Sequence, residues 1–333
     1  MKITEQTTLG EIYNLPGLRA SRDYLIGNGA ALFQTKGEIT LQQLNEKQPT
    51  WYVKDMIYGL NRLIEIAEKK KPYFFTVYSE EEMKEDANKQ DVKLFHFPGT
   101  ENGRFAILLS GGAYGCVCSM AESFPVAAKF NEMGITVFCL NYRVYIPEMG
   151  ALLPKPIDDL AAAYRFIAGR AEEFQIDPNH YLVGGFSAGG HVSAEWGTQN
   201  MGARKYQLPQ PEQLLLGYSF ITTEKMRETI SKEFWEYFFT AMFGTGYTKV
   251  DEARYSVNQH VDREYPPTYL VQSMDDGEVP YYNLICMKEA LETAGVRYKS
   301  ENPETGGHGF GLGSATEAAG WVERAVEFWN QRK

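Results

Sequence analysis

Short apolar, β-rich runs alternate with helical segments through most of this chain, and that alternation limits the fold more than any other feature. The buried-looking runs lie at residues 105–109, 136–140, 181–184, 214–216 and 268–271. Continuous apolar runs of this length are typical of parallel strands that helices cover on both faces. Two earlier runs, residues 74–78 and 92–97, are expected to form an antiparallel hairpin at the start of the sheet. The pattern therefore predicts an α/β fold with a mostly parallel central sheet and helices on both faces.

The first part of the chain is helical in character. Thr8 with Glu11 and Thr40 with Gln43 both have the spacing of a capping box, in which a hydroxyl and a carboxyl or amide satisfy free amides at a helix start. Residues 1–71 are therefore predicted to form a small helical annex. A lid, a dimer arm and a regulatory element are all compatible with its composition.

The rest of the chain, residues 72–333, is predicted to be one catalytic domain. The whole chain has 333 residues, and single hydrophobic cores stop growing at about 250–300 residues, so one large α/β domain with an annex is expected. Residues 199–262 are less regular and rich in aromatic side chains, and we expect a cap-like insertion there, over the edge of the sheet.

Composition excludes several classes of protein. Hydrophobic residues make up 44% of the chain and charged residues 23%, as in an ordinary globular protein with a packed core. The formal net charge of −10 is spread over both halves, whereas phosphate-backbone binding needs clustered Lys and Arg. Nucleic acid is therefore not an expected partner, and a homo-oligomer stays open.

The N-terminus lacks an apolar signal core, and no stretch has the roughly 18 uninterrupted apolar residues that a membrane helix needs. We expect a cytoplasmic protein without a membrane segment. The four cysteines form neither a CxxC pair nor a disulfide framework, and they are predicted to be reduced core residues: Cys116, Cys118, Cys139 and Cys286.

The sequence Gly185-Phe-Ser-Ala-Gly189 lies between a predicted strand and a predicted helix. In that context the pattern G-x-S-x-G indicates a nucleophile elbow, a sharp turn that presents the serine hydroxyl. The flanking glycines are needed because a side chain there would collide with neighbouring backbone. Ser187 is therefore the candidate nucleophile.

A serine hydroxyl is a poor nucleophile until an imidazole accepts its proton. His308 lies in a glycine-rich loop before the C-terminal helix and is the leading candidate among five histidines. His191 is the second, but on the elbow helix it points along the core, where packing is the expected role. His96, His180 and His260 are expected to be structural.

The imidazole needs a carboxylate to fix its tautomer and stabilise its charged form. Two adjacent candidates, Asp275 and Asp276, follow the run at residues 268–271, and local reasoning does not choose between them. With either one, the chain order serine, aspartate, histidine is the order that the nucleophile-elbow fold requires.

An oxyanion hole completes such a site, since each preorganised amide donor contributes about 2.7–4 kcal/mol in acyl transfer. Ser110-Gly-Gly-Ala-Tyr114 follows the run at residues 105–109, and its small residues let backbone amides approach a substrate carbonyl. The predicted donors are the amides of Gly112, Ala113 and Ala188. A plain strand-end turn is the alternative.

Together these motifs resemble the esterase branch of the α/β-hydrolases related to hormone-sensitive lipase, and more closely the acetyl-xylan-esterase and BD-FAE-like group. The resemblance covers about residues 73–333, and it implies Asp275, the first aspartate of the pair, as the triad acid. The motifs that carry it are Ser110-Gly-Gly-Ala-Tyr114, Leu140-Asn-Tyr-Arg143, Ile176-Asp-Pro-Asn179, Gly184-Gly-Phe-Ser-Ala-Gly-Gly-His191, Pro266-Pro-Thr268, Asp275-Asp276 and Gly307-His-Gly-Phe-Gly311.

The expected function is thus a serine carboxylesterase that cleaves short acyl esters, acetyl above all, of a small molecule or saccharide. The triad chemistry requires no metal and no organic cofactor. A prolyl-oligopeptidase-like peptidase uses the same triad, but the chain has no propeller repeat. A non-catalytic small-molecule receptor on a hydrolase fold is the third reading, although no triad member is missing.

Overall fold

The computed structural model describes residues 2–26, 37–69, 71–100 and 103–331. Eight strands within these residues form one sheet, in the spatial order β1-β2-β4-β3-β5-β6-β7-β8. Strands β1 and β2 pair antiparallel, as do β2 and β4, and all later neighbours pair parallel. The bounds are β1 Phe74–Thr76, β2 Lys93–Phe97, β3 Gly103–Leu109, β4 Thr136–Asn141, β5 Ile176–Phe186, β6 Gln213–Gly217, β7 Thr268–Val271 and β8 Tyr298–Glu301. The predicted, mostly parallel sheet is confirmed.

Helices cover both faces of this sheet. The α-helices are α1 Leu9–Tyr13, α2 Leu41–Lys47, α3 Val53–Glu68, α4 Glu80–Glu85, α5 Ser123–Glu132, α6 Lys155–Ala168, α7 Ala171–Phe174, α8 Ser187–Trp196, α9 Met226–Thr229, α10 Lys232–Phe243, α11 Lys249–Arg254, α12 Tyr282–Ala294 and α13 Trp321–Asn330. Short 3-10 helices lie at Pro16–Leu18, Arg22–Tyr24, Ala87–Asp91, Pro147–Met149 and Val257–Gln259.

Strand β3 shows how the sheet divides two apolar layers. Ile107 and Leu109 belong to one buried cluster, whereas Ala106 and Leu108 belong to the other. Successive side chains on a strand point to opposite faces, so a strand buried on both sides must be apolar at every position. This requirement explains the continuous apolar runs in the sequence.

The N-terminal helices are part of the second layer. Both predicted capping boxes are present, at Thr8 and Thr40. Leu60 of α3 is fully buried in the same cluster as Phe124 of α5 and Trp321 of α13. A Cβ atom on Gly59 would lie 2.6 Å from the Pro125 nitrogen, so this glycine allows α3 and α5 to approach closely. The described helices of this N-terminal segment therefore pack in the same apolar layer as α5 and α13.

The structure differs from the sequence predictions at one boundary and in one strand. The cap-like insertion expected over residues 199–262 contains β6, which pairs with β5 and β7 inside the sheet, because the apolar run at residues 214–216 is buried on both faces. Helices α9, α10 and α11 follow β6 in that region and lie outside the sheet. Strand β8 was missed because its residues, Tyr-Lys-Ser-Glu, are mostly polar and half-buried at the sheet edge.

All four cysteines are buried and free, as predicted. None of the helices in the described ranges combines the length and the apolar character needed to cross a membrane.

Candidate active site

Ser187 lies at a strained turn between β5 and α8. Its φ of +52° is in the left-handed region, which is rare for residues other than glycine. A Cβ atom on Gly185 would lie 2.3 Å from the Gly189 carbonyl oxygen, and one on Gly189 would lie 2.4 Å from the Leu109 carbonyl oxygen. Both glycines are thus sterically required, as the sequence pattern predicted, and the turn brings the Ser187 hydroxyl to the wall of a cavity.

His308 is hydrogen-bonded to Ser187 and to an aspartate. Its Nε2 lies 2.8 Å from Ser187 Oγ, and its Nδ1 lies 2.8 Å from one carboxylate oxygen of Asp276 and 3.0 Å from the other. Because an ionised carboxylate only accepts hydrogen bonds, Nδ1 carries the hydrogen and Nε2 is left to accept the proton of Ser187. The three side chains follow β5, β7 and β8, in the predicted chain order.

The aspartate beside His308 is Asp276, and the expectation of Asp275 is corrected by this geometry. The Asp276 side chain has no exposed surface, and it also accepts hydrogen bonds from the amides of Glu278 and Val279. Asp275 instead faces solvent, and its carboxylate accepts a hydrogen bond from the Gly307 amide at 2.8 Å. Neighbouring residues in a turn point in different directions, so adjacency in sequence does not give them equivalent positions.

The charge environment of His308 favours its protonated form. Burial of the ring by itself lowers its pKa, but the negative charge and hydrogen bonds of Asp276, with smaller contributions from Glu278 and Glu122, outweigh burial and raise the pKa to about 9. Glu278 Oε2 lies 4.0 Å from His308 Nε2, on the side of the ring that faces the cavity. The imidazole is therefore a strong proton acceptor.

The loop after β3 has an unusual backbone next to Ser187. Gly112, Ala113 and Tyr114 all have positive φ values, +132°, +49° and +61°. Gly112 and Ala113 border the cavity, and in the described part of the chain no group accepts a hydrogen bond from either amide. The Ala188 amide is in the first turn of α8, where amides lack acceptors within the helix. These amides remain the predicted oxyanion donors.

The cavity beside Ser187 and His308 has a volume of about 500 Å³. Its walls come from three parts of the chain: the site loops, the segment between α2 and α3, and the helices that precede β7. The residues that sequence reasoning did not assign to it include Gln48, Trp51, Glu122, Met226, Ile230, Phe234, Phe238 and Glu278. No local motif marks them, because only the tertiary packing brings them to the cavity.

The N-terminal segment also supports the histidine loop. Asp55 accepts hydrogen bonds from the amide and the hydroxyl of Ser314, which follows His308 in the same loop. A Cβ atom on Gly307 would lie 2.9 Å from the Thr50 methyl group. This part of the chain therefore both lines the cavity and contacts the loop that carries the imidazole.

The other histidines lie away from Ser187. His191 is fully buried, with Nδ1 2.6 Å from the Tyr114 hydroxyl and Nε2 2.8 Å from the Tyr255 carbonyl, and burial lowers its pKa to about 4. His96 stacks on Phe138 in the core. Their expected structural roles fit these contacts.

Comparison with known proteins agrees with the fold. Residues 98–291 match the BD-FAE family model. A solved acetyl ester-xyloside bifunctional hydrolase from Caldicellulosiruptor lactoaceticus superposes with a TM-score of 0.66 and 27% identity, over 77% of this chain and 95% of that one. With the sheet order, these matches confirm the predicted α/β-hydrolase fold.

Two curated relatives are larger proteins. The acetylxylan esterase of Xylanibacter ruminicola is 28% identical over 69% of this chain and 45% of its own length. The endo-1,4-beta-xylanase B of Butyrivibrio fibrisolvens is 26% identical over 65% of this chain and 34% of its own length. This chain thus spans less than half the length of either relative.

Proposed function

Because the chain belongs to the BD-FAE family, we propose that it is a serine carboxylesterase that hydrolyses short acyl esters, chiefly acetyl esters, of a small molecule or saccharide. The observation that carries this proposal is the hydrogen-bonded series Ser187, His308 and Asp276 at the wall of the cavity. The names of the similar acetylxylan esterase and acetyl ester-xyloside hydrolase support acetyl groups on sugars.

Acylation begins when Ser187 Oγ attacks the ester carbonyl carbon while His308 Nε2 takes the hydroxyl proton. The carbonyl oxygen becomes an oxyanion, which the amides of Gly112, Ala113 and Ala188 stabilise. As the tetrahedral intermediate collapses, the bond to the alcohol oxygen breaks, and His308 gives its proton to that oxygen. An acyl group remains on Ser187.

Deacylation repeats these steps with water as the nucleophile. His308 takes one proton of the water, the hydroxide attacks the acyl carbon, and the Ser187 oxygen leaves and recovers the proton. Asp276 holds the imidazole in the same tautomer throughout and stabilises its charged form. The products are a carboxylic acid and an alcohol.

The cavity is suited to a small acyl group. Four apolar side chains from α9, α10 and the turn between them line one wall: Met226, Ile230, Phe234 and Phe238. Polar side chains, among them Gln48 and Glu278, line the same cavity. A cavity with both apolar and polar lining suits an ester with a short acyl end and a hydroxylated alcohol end.

The proposal is tested by hydrolysis of p-nitrophenyl acetate, butyrate and octanoate. Ser187→Ala is expected to lower kcat by roughly 10⁴–10⁶-fold, and acetate is expected to be the best substrate. Ser300→Ala, a half-buried serine of β8, is the matched control and should retain wild-type activity. Mass spectrometry should detect an acetyl adduct on Ser187 during turnover. Equal rates for wild type and Ser187→Ala would refute the proposed mechanism.

A further inference from the structure

Glu122 is a buried acid in the wall of the active-site cavity, and the triad mechanism gives it no role. It immediately precedes α5 and is only 3% exposed. Burial raises its pKa to about 7, although the Gly111 hydrogen bond and the charge of His308 act in the opposite direction. Burying an acid costs free energy. A buried acid with a shifted pKa in the wall of an active site is therefore a candidate for a functional role.

Both carboxylate oxygens of Glu122 are engaged. Oε2 accepts a hydrogen bond from the Gly111 amide at 2.5 Å, and Oε1 accepts one from the Tyr218 hydroxyl at 3.0 Å. Gly111 directly precedes Gly112, the first of the predicted oxyanion donors. A Cβ atom on Gly111 would lie 2.6 Å from Ser187 Cβ, so the loop passes tightly between the nucleophile and Glu122.

Tyr218 continues this connection to the histidine loop. It follows β6, is fully buried, and its hydroxyl accepts a hydrogen bond from the Gly311 amide at 3.0 Å. Its ring packs edge-on against His308, with 5.0 Å between ring centroids. One carboxylate and one phenol thus join the loop after β3 to the loop that carries His308.

We propose that Glu122 and Tyr218 are positioning residues, which hold the oxyanion loop and the histidine loop in fixed relation to one another around Ser187. The inference rests on the proposed esterase function. Amide donors stabilise an oxyanion fully only when they are already aligned with it, and displacements near 1 Å cost about 10²-fold in rate. Neither side chain needs to touch the substrate for this effect.

The test compares Glu122→Ala, Glu122→Gln and Tyr218→Phe with wild type on p-nitrophenyl acetate. Glu122→Ala loses both hydrogen bonds and is expected to lower kcat by about 10²-fold, with KM changed little. Glu122→Gln keeps an acceptor for the Gly111 amide and should recover part of that loss. Tyr218→Phe removes the hydroxyl that donates to Glu122 and accepts from Gly311, but it leaves the hydrogen bond between Glu122 and the Gly111 amide, so an intermediate loss is expected.

Tyr265→Phe is the matched control, because Tyr265 is also buried and its hydroxyl donates to the Ala194 carbonyl. It should retain the wild-type kcat. Phenylboronic acid, which forms a tetrahedral adduct with a reactive serine, gives a second measurement. Its Kd should rise in the variants whose kcat falls. Circular dichroism establishes that each variant is folded. A folded variant that is merely less stable than wild type would bind phenylboronic acid and hydrolyse the ester normally.

The outcomes separate this inference from the proposed function. If wild type hydrolyses the ester and Glu122→Ala and Tyr218→Phe both stay within about threefold of its kcat, the positioning role is refuted while the esterase stands. A rise in KM at unchanged kcat also refutes it. If wild type itself is inert and Ser187 is not acylated, the proposed esterase function is refuted, and the positioning role that rests on it is refuted with it. If Glu122→Ala does not fold, Glu122→Gln and Tyr218→Phe decide the question.

Discussion

Asp276 and Asp275 are adjacent in sequence, and replacing each one separately tests their different surroundings. Asp276→Asn removes the charge that holds the His308 tautomer, and kcat for p-nitrophenyl acetate is expected to fall by about 10⁴-fold. Asp275→Asn is an equal change in size and charge at the exposed neighbour, so it should cost far less. The opposite ranking would restore Asp275 as the triad acid.

The negative charge of Glu278 is expected to appear in the pH profile. Burial lowers the pKa of His308, but Asp276, Glu278 and Glu122 raise it above the ordinary value of 6.5. Protonated His308 cannot accept the Ser187 proton, so kcat/KM should be lost as pH falls through this raised pKa. Glu278→Gln removes one of the charges that raise the pKa, and the acid limb of kcat/KM should move to lower pH.

The control for this profile is Glu81→Gln, an exposed acid on α4 far from the site in the chain. It should leave the acid limb in place. Because Glu278 is itself 55% exposed, added salt should reduce the difference between Glu278→Gln and wild type. An acid limb that Glu278→Gln leaves unchanged would contradict the charge effect.

The two predicted site residues that the structure brings into contact, Ser187 and His308, have strong local signals. Ser187 is marked by glycines that the turn requires, and His308 by the glycine-rich loop around it. The choice between Asp275 and Asp276 depends on side-chain direction within one turn, which composition does not reveal. Glu122 and Trp51 reach the cavity only through tertiary packing, so no pattern in the sequence could assign them.

Among the helices, the contact between α3 and α5 depends on Gly59. A Cβ atom there would lie 2.6 Å from the Pro125 nitrogen and 2.8 Å from the Phe124 carbonyl carbon, both of them backbone atoms. Gly59→Ala should therefore push the helices apart and lower the free energy of unfolding by about 1–3 kcal/mol. Urea unfolding measures this change. Gly277→Ala, where a Cβ atom meets nothing within 4 Å, is the stability control.

A Gly59→Ala variant more stable than wild type by about 1 kcal/mol would show that the helices can separate at no cost. Alanine favours helix over glycine by about 1 kcal/mol, so a loss of stability would mean that the steric effect outweighs this gain.

Strands were predicted well where both faces are buried and poorly at the sheet edge. The buried stretches of the central strands β3 to β7 are mainly apolar on both faces, and this pattern is visible in the sequence. Strand β8 pairs on one side with β7, and its half-exposed residues carry no such pattern. The cap boundary differs for another reason: the run at residues 214–216 was predicted as a strand, but the less regular segments on either side of it were joined into one insertion that included it.

The two parts of the chain predicted as annex and catalytic domain share one hydrophobic layer. Removal of the first part should therefore destabilise the second. Leu44, Met56, Leu60 and Leu63 are fully buried, and each such side chain contributes about 1.5–3 kcal/mol. The sum over several of them is comparable with the whole net stability of a domain, about 5–15 kcal/mol. A fragment of residues 72–333 should therefore lose its near-ultraviolet circular dichroism, its cooperative unfolding and its esterase activity together.

Loss of activity in that fragment could also follow from removal of Gln48 and Trp51, which line the cavity. The two causes are separated by Trp51→Ala in the full chain, which removes a cavity side chain and keeps the buried leucines. This variant should unfold cooperatively and differ from wild type in KM or in acyl-chain preference. A fragment of residues 72–333 that unfolds cooperatively and hydrolyses p-nitrophenyl acetate would instead mean that the N-terminal helices are a separable lid. The catalytic loops and the N-terminal helices are supported by the same core. Residues 1–71 added as a second chain should therefore restore activity only if the two chains together can form the shared layer.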